Sequence, residues 1–187
     1  MARRGNLGGA IAAAVGAYVV LKALSTLKQP VRKRQSLLID LYSGAARALK
    51  FASPPPLKVT TKVENAASNG THVLINPQWA NGVMKRHCAD GRCRRSVLYG
   101  VLAHELAHHL HQDALFDGEP HQQELRADAL AGYAMGVNGI DATHLACVYE
   151  ELSAIESDTH PHADDRIDIM RQGHAAGVRQ ARKNRQA

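Results

Sequence analysis

Apolar residues recur at helical spacing along most of the chain and alternate with polar ones over one short stretch. From Val31 to Lys50, Leu37, Leu38, Leu41, Ala45 and Leu49 share a helical face, and Ser53-Pro54-Pro55-Pro56 ends any helix. Leu57 to Val63 alternates and is rich in β-branched residues. After Asn69-Gly70 a second strand is expected from His72 to Asn76, closed by Pro77. Val97, Val101, Leu102, Leu106 and Leu110 stripe a helix from Ser96 through Gln112, and Leu130, Tyr133 and Val137 stripe another from His121 to Val137, stopped by Asn138-Gly139. Asp141 is placed to cap a third helix with Leu145, Val148, Tyr149, Leu152 and Ile155 on its core face. Pro161 then starts a last helix, to about His174, before a polar basic tail. A small sheet followed by packed helices predicts an α+β fold.

The amino-terminal segment stands apart. Leu7 to Leu21 carries no charge, Arg3 and Arg4 precede it and Lys22 follows, so the stretch from residue 7 to 27 approaches spanning length only if Lys22 snorkels. An uncleaved anchor, a signal peptide cut near Ala23-Leu24-Ser25 and a soluble Ala-rich helix all fit it. The expectation is a membrane-associated protein with a single amino-terminal segment. The basic residues after the run outnumber those before it, which by the positive-inside rule leaves the body cytoplasmic. A Cys88–Cys93 disulfide would instead argue for a secreted or periplasmic protein. Asp90-Gly91 between those cysteines favours a tight turn that brings them within reach of one another, although two free thiols are the commoner state inside cells.

Composition narrows the class. The chain has 187 residues, 45% hydrophobic and 21% charged, which excludes disorder and several large domains, and with 4% aromatics the aliphatic residues must fill the core. The net charge of +6 hides a segregation. Residues 1–103 hold 16 Lys/Arg against 3 Asp/Glu, residues 104–168 hold 2 against 14, and residues 169–187 hold 5 against none. Most of the 11 histidines lie in the acidic stretch, which points to a metal or acid–base site and away from a uniformly basic nucleic-acid binder. Three cysteines with no Cys-x-x-Cys pair cannot organise the site.

The chemistry is carried by His104-Glu105-Leu106-Ala107-His108, an H-E-x-x-H pattern in the middle of an apolar-striped helix. Residues at i and i+4 project from one helical face, so two imidazoles can converge on one Zn²⁺ while Glu105 stands beside its open position as general base. Chance would supply only about 0.02 such matches in a chain of this composition. A third ligand is required. His109 and His111 point off the metal face, and the Gly and His of the metzincin extension are replaced by His111 and Ala114. Glu124 and Asp128, at i and i+4 on the next helix, suit a ligand and a partner that accepts a hydrogen bond from a ligating imidazole. Glu119 and His121 are the alternatives. An Asp128→Asn change is expected to alter stability little and zinc affinity much.

The ordered set His104-Glu105-x-x-His108, Glu124-x-x-Ala127-Asp128-x-x-Ala131-Gly132, Thr159-His160-Pro161 and Arg166-Ile167 resembles the gluzincin metallopeptidases of the HtpX heat-shock and CAAX-prenyl endopeptidase family, from about Leu74 to Gly173. The resemblance implies a zincin-like α+β domain, one Zn²⁺ held by His104, His108 and Glu124, Glu105 as base, and a strand beside the cleft that pairs with an extended substrate, a role assigned to Val73–Asn76. By the same analogy His160 stabilises the oxyanion, unless Thr159-His160-Pro161 merely caps the last helix, with Arg166 as a second substrate or transition-state contact or as a partner of Asp128 or Asp164. The chain has a short interval between His108 and Glu124 and at most one membrane segment, so prenylated substrates are not carried over.

The expected organisation is a hydrophobic segment (1–30), a connecting helix and Pro-rich linker (31–56), a zinc metallopeptidase domain (57–176) and a basic tail (177–187). The expected function is a zinc endopeptidase acting on peptides or unfolded proteins. The competing reading is a catalytically silent scaffold of the same fold at a membrane, which an intact Glu105 argues against. Nucleic-acid binding through Arg179, Arg182, Lys183 and Arg185 is disfavoured because no aromatic residue interleaves the charges.

Overall fold

A computed structural model describes residues 31–115, 118–153 and 161–186. The amino-terminal segment 1–30, Ile155 and His160 lie outside the described residues. The fold is α+β and mostly helical. Helix α1 (Val31–Ala48) leads into β1 (Leu57–Val59), β2 (Ala66–Ser68) and β3 (Val73–Ile75), and then α2 (Pro77–His87), α3 (Gly91–His111) and α4 (Pro120–Val137) follow. A 3₁₀ turn (Thr143–Leu145), α5 (Ala146–Ser153) and α6 (Ala163–Asn184) complete it. Among the described residues no helix is long and apolar enough to cross a membrane.

Helix α3 forms the centre. Leu102, Ala103, Leu106 and Ala107 are completely buried in it, together with Val97 and Leu98. Burial on most of its circumference explains why a narrow stripe understates its hydrophobicity. Asp90 starts it as N-cap, its Oδ1 accepting from the Cys93 N–H at 2.8 Å, so Asp90-Gly91, expected as a tight turn, is the start of a helix. Cys88 and Cys93 are joined as a disulfide across this junction, with Cα atoms 5.3 Å apart. Helix α2 was hidden by Pro77. Asn76 caps it by accepting from Gln78 and Trp79, and Pro77 occupies the first turn, where its missing N–H costs nothing.

The sheet is mixed, in the order β1-β3-β2, with β1 parallel and β2 antiparallel to β3. The expected long strand 57–63 is only Leu57–Val59, and Ala66–Ser68, which lacks β-branched residues, is the strand the pattern missed. Helix α1, expected as a connector, packs into the core through Leu41, Tyr42 and Ala45, with Leu49 just past its end, and the Tyr42 hydroxyl donates to the Pro55 carbonyl at 2.5 Å. Helix α6 runs to Asn184, well past His174, so most of the expected basic tail is helical.

Helices α4 and α6 meet backbone to backbone. A Cβ at Gly173 would stand 2.8 Å from the Ala129 carbonyl carbon, and one at Gly177 2.9 Å from that of Tyr133. Gly132 and Gly136 on α4 face the Met170 and His174 carbonyls as closely. Two glycines four residues apart on each helix therefore allow this approach. It presses the first turns of α6 against the acidic face of α4.

Candidate metal centre

Helices α3, α4 and α6 converge on a cleft of about 400 Å³, walled on one side by β2 and on the other by Gly100, Leu145 and Val148. On its floor, one ligand atom each from His104, His108 and Glu124 lies within 4.8 Å of the others, a group that can hold a metal ion. The two Nε2 atoms are 2.9 Å apart, His108 Nε2 is 3.2 Å from Glu124 Oε1, and His104 Nε2 is 3.6 Å from Glu124 Oε2. The i,i+4 spacing on α3 accounts for the imidazole pair, and the α3–α4 packing brings Glu124 across to it.

The outer ring nitrogens settle the protonation. His104 Nδ1 is 2.8 Å from Asp128 Oδ1 and His108 Nδ1 is 2.8 Å from Asp113 Oδ2. An ionised carboxylate only accepts, so both Nδ1 atoms carry the hydrogen and, in the neutral imidazoles, both Nε2 atoms turn lone pairs toward each other and toward the Glu124 carboxylate. Three acceptors facing one point repel unless a cation stands among them. The donor set, two imidazoles and a carboxylate, suits Zn²⁺. Without a metal, a proton takes that place. Burial opposes charge on His108, yet the carboxylates of Glu124, Glu105 and Asp113 push its pKa up to about 9.

Glu105 projects from the same helix into the cleft and is buried, and this burial raises its carboxyl pKa, with the nearby imidazoles pulling the other way. Asp128 is fully buried on α4. Burial alone would raise its pKa, but His104 and Arg166 hold it below the ordinary carboxylate range. Arg166, also buried, donates from Nε to Asp128 Oδ2 at 2.7 Å and from Nη2 to Asp128 Oδ1 at 3.1 Å, and Nη2 lies 3.0 Å from Glu124 Oε2. Its guanidinium also stacks 4.6 Å from the Tyr149 ring centre. Of the partners expected for Arg166, Asp128 is the one found, Glu124 is added, and Asp164 is exposed to solvent. Asp128 thus has two duties where sequence reasoning saw one. The Asp128→Asn expectation of little change in stability is corrected accordingly, because the amide would remove the bidentate counter-charge of a buried guanidinium and leave it Glu124 alone.

The other expected residues fall outside the centre. Glu119 is the N-cap of α4, accepting from Gln122 N–H at 2.9 Å, and His121 follows it in the first turn. His109 lies beside Phe51, ring centres 6.3 Å apart, and His111 is exposed. The strand Val73–Asn76 cannot pair with a substrate, because β3 is the middle strand and both its edges are taken. The strand that lines the cleft is β2, whose outer edge has no partner strand among the described residues. Sequence reasoning also missed Asp113, which follows the helix end, and assigned Tyr149 to the core alone. No family model, curated protein or solved structure matches the chain.

Proposed function

We propose that the protein is a zinc-dependent endopeptidase of the gluzincin type, with a zincin-like fold. The observation that carries this reading is the convergence of His104 Nε2, His108 Nε2 and the Glu124 carboxylate on one point, with the buried Glu105 carboxyl beside it in an open cleft. His104, His108 and Glu124 would hold the Zn²⁺, which when bound supplies a Lewis acid for the scissile carbonyl and lowers the pKa of a water. Glu105 would accept a proton from a water in the cleft and return it to the leaving amine, and its burial, which raises its carboxyl pKa, favours holding that proton between the two steps. Arg166 holds Asp128 and Glu124 in place, and its Nη1 is buried without a hydrogen bond. His160 is proposed as an oxyanion donor from its sequence position alone.

An extended peptide fits between the two walls. Its main chain adds to the open edge of β2, whose Ala66, Ala67 and Ser68 leave room, and an apolar side chain meets Leu145 and Val148. Membrane association through residues 7–27 is proposed on sequence grounds only. The test is metal analysis of purified protein coupled to cleavage of an unfolded protein, wild type against Glu105→Gln. The variant is expected to retain zinc and lose most hydrolysis. Undiminished hydrolysis by the zinc-replete variant would remove Glu105 as base, and a wild type that takes up no zinc would end the reading.

A further inference from the structure

We infer that Asp113 is the positioning residue for His108, held in that role by Arg126 and by the left-handed end of α3. The inference rests on the metal reading above. Each imidazole of the pair has one carboxylate on its outer nitrogen, Asp128 for His104 and Asp113 for His108, both at 2.8 Å. Asp128 reaches its imidazole from a neighbouring helix. Asp113 reaches its own because the chain reverses at Gln112, which adopts φ 56°, ψ 34°. That left-handed conformation favours Gly and is strained for Gln. Sequence alone therefore gives no sign of it. The Asp113 N–H then bonds the His108 carbonyl at 3.1 Å and the Gln112 N–H the His109 carbonyl at 3.1 Å, a helix ending that folds the Asp113 side chain back over the last turn.

The second oxygen of Asp113 is taken as well. Arg126 Nη2 donates to Asp113 Oδ1, so α4 grips the residue that orients an imidazole of α3. The Asp113 side chain is 8% exposed, and it lines the cleft. Strain at Gln112 together with a nearly buried carboxylate held from two sides is an arrangement that surrounding structure must over-determine, as expected at a functional site. The consequence is directional: Asp113 keeps the hydrogen on His108 Nδ1, leaving the lone pair of Nε2 aimed at the metal position. Arg126 sits between Glu124 and Asp128 in sequence but on the face of α4 that serves His108. One short helical segment thus supplies a ligand and supports both imidazoles.

The test is zinc affinity, by competition with a chromophoric chelator, and the visible spectrum of the cobalt-substituted protein, for wild type, Asp113→Ala, Asp113→Asn and Arg126→Ala. Asp113→Ala is expected to lower zinc affinity about 10–100-fold and to alter the cobalt spectrum. Asp113→Asn retains a carbonyl oxygen that can accept from Nδ1, so it should recover part of the loss. Arg126→Ala, at a half-exposed position where misfolding is not at issue, should weaken zinc by a smaller factor in the same direction. A folded Asp113→Ala with wild-type zinc affinity and an unchanged cobalt spectrum would overturn the inference, as would a loss confined to melting temperature. Absence of zinc binding in the wild type would instead overturn the metal reading, which separates the two failures.

Discussion

Gly173→Ala tests how the site is assembled. The added Cβ would stand 2.8 Å from the Ala129 carbonyl carbon and 3.1 Å from its Cα. Carbon atoms pack best at about 3.5–4.0 Å, so α6 must move away from α4 by about 1 Å. Neither contact atom can rotate aside, because both belong to a helical backbone. A gap of that size forfeits about a quarter to a half of the dispersion energy of each affected contact, and overpacking of this kind costs about 1–3 kcal/mol or more. The helix preference of Ala over Gly returns about 1 kcal/mol. The net loss is then about 1 kcal/mol, or roughly 2–4 °C in Tm for a chain of this size. Gly44→Ala is the internal control. Its Cβ would meet Tyr99 Cε2 at an ordinary 3.5 Å inside α1, so it should raise Tm slightly. Differential scanning calorimetry of the metal-free variants measures both. A Gly173→Ala protein as stable as wild type would refute the close helix contact, and with it the account of how Arg166 reaches Asp128.

Glu124→Ala should abolish most zinc uptake in metal analysis, whereas Glu119→Ala and His121→Ala should leave it near wild type, since Glu119 only caps α4; the reverse order would overturn the ligand assignment. Asp128→Asn should lower zinc affinity about 10–100-fold and also destabilise the metal-free protein by about 3 kcal/mol in urea unfolding, because Arg166 loses a bidentate partner in the interior. Stability of the metal-free protein should depend on pH through His108. Its pKa rises from 6.5 to about 9 on folding, so the stabilisation is complete below 6.5 and disappears as pH climbs through 9, up to about 3 kcal/mol in all, and a flat urea midpoint across that interval would contradict it.

Local signals carried well from sequence to structure, and those depending on two elements did not. The imidazole pair was legible because i and i+4 on one helix need nothing but the helix, and Glu124 with Asp128 for the same reason. Helix α2 had its signal in Asn76-Pro77, a cap followed by a first-turn proline, but a strand ends there too, and Pro77 serves both readings. Strand β2 had none, since Ala66-Ala67-Ser68 is held by its pairing with β3 and not by intrinsic preference. The burial of Arg166 depends on four glycines in two helices separated by α5, and their pairing becomes visible only when α4 and α6 are placed side by side. Asp113 was missed because a left-handed residue normally announces itself as Gly or Asn, and here it is Gln112.

The charges around the cleft bear on the proposed metal. Four carboxylates, Glu105, Asp113, Glu124 and Asp128, face two guanidinium groups, Arg126 and Arg166, so with neutral imidazoles the centre carries 2 − 4 = −2. A buried net charge of that size is expensive to maintain in a folded protein. On the far side of the imidazoles Arg126 is committed to Asp113 and Arg166 to Asp128, while Arg166 also meets one oxygen of Glu124, and the charge left over faces the point where the two Nε2 atoms and Glu124 meet. A divalent cation at that point restores neutrality and turns a repulsive set of lone pairs into a coordination site. His108 shows the same deficit from the other side, since burial opposes its charge yet the carboxylates of Glu124, Glu105 and Asp113 raise its pKa, whereas the Glu105 carboxyl is raised chiefly by burial. A structural ion-pair network would balance itself internally. This one needs added positive charge, either protons on His108 and Glu105 or one divalent cation, and on the proposed reading Glu105, the carboxylate least engaged by the arginines, is the group that would move a proton.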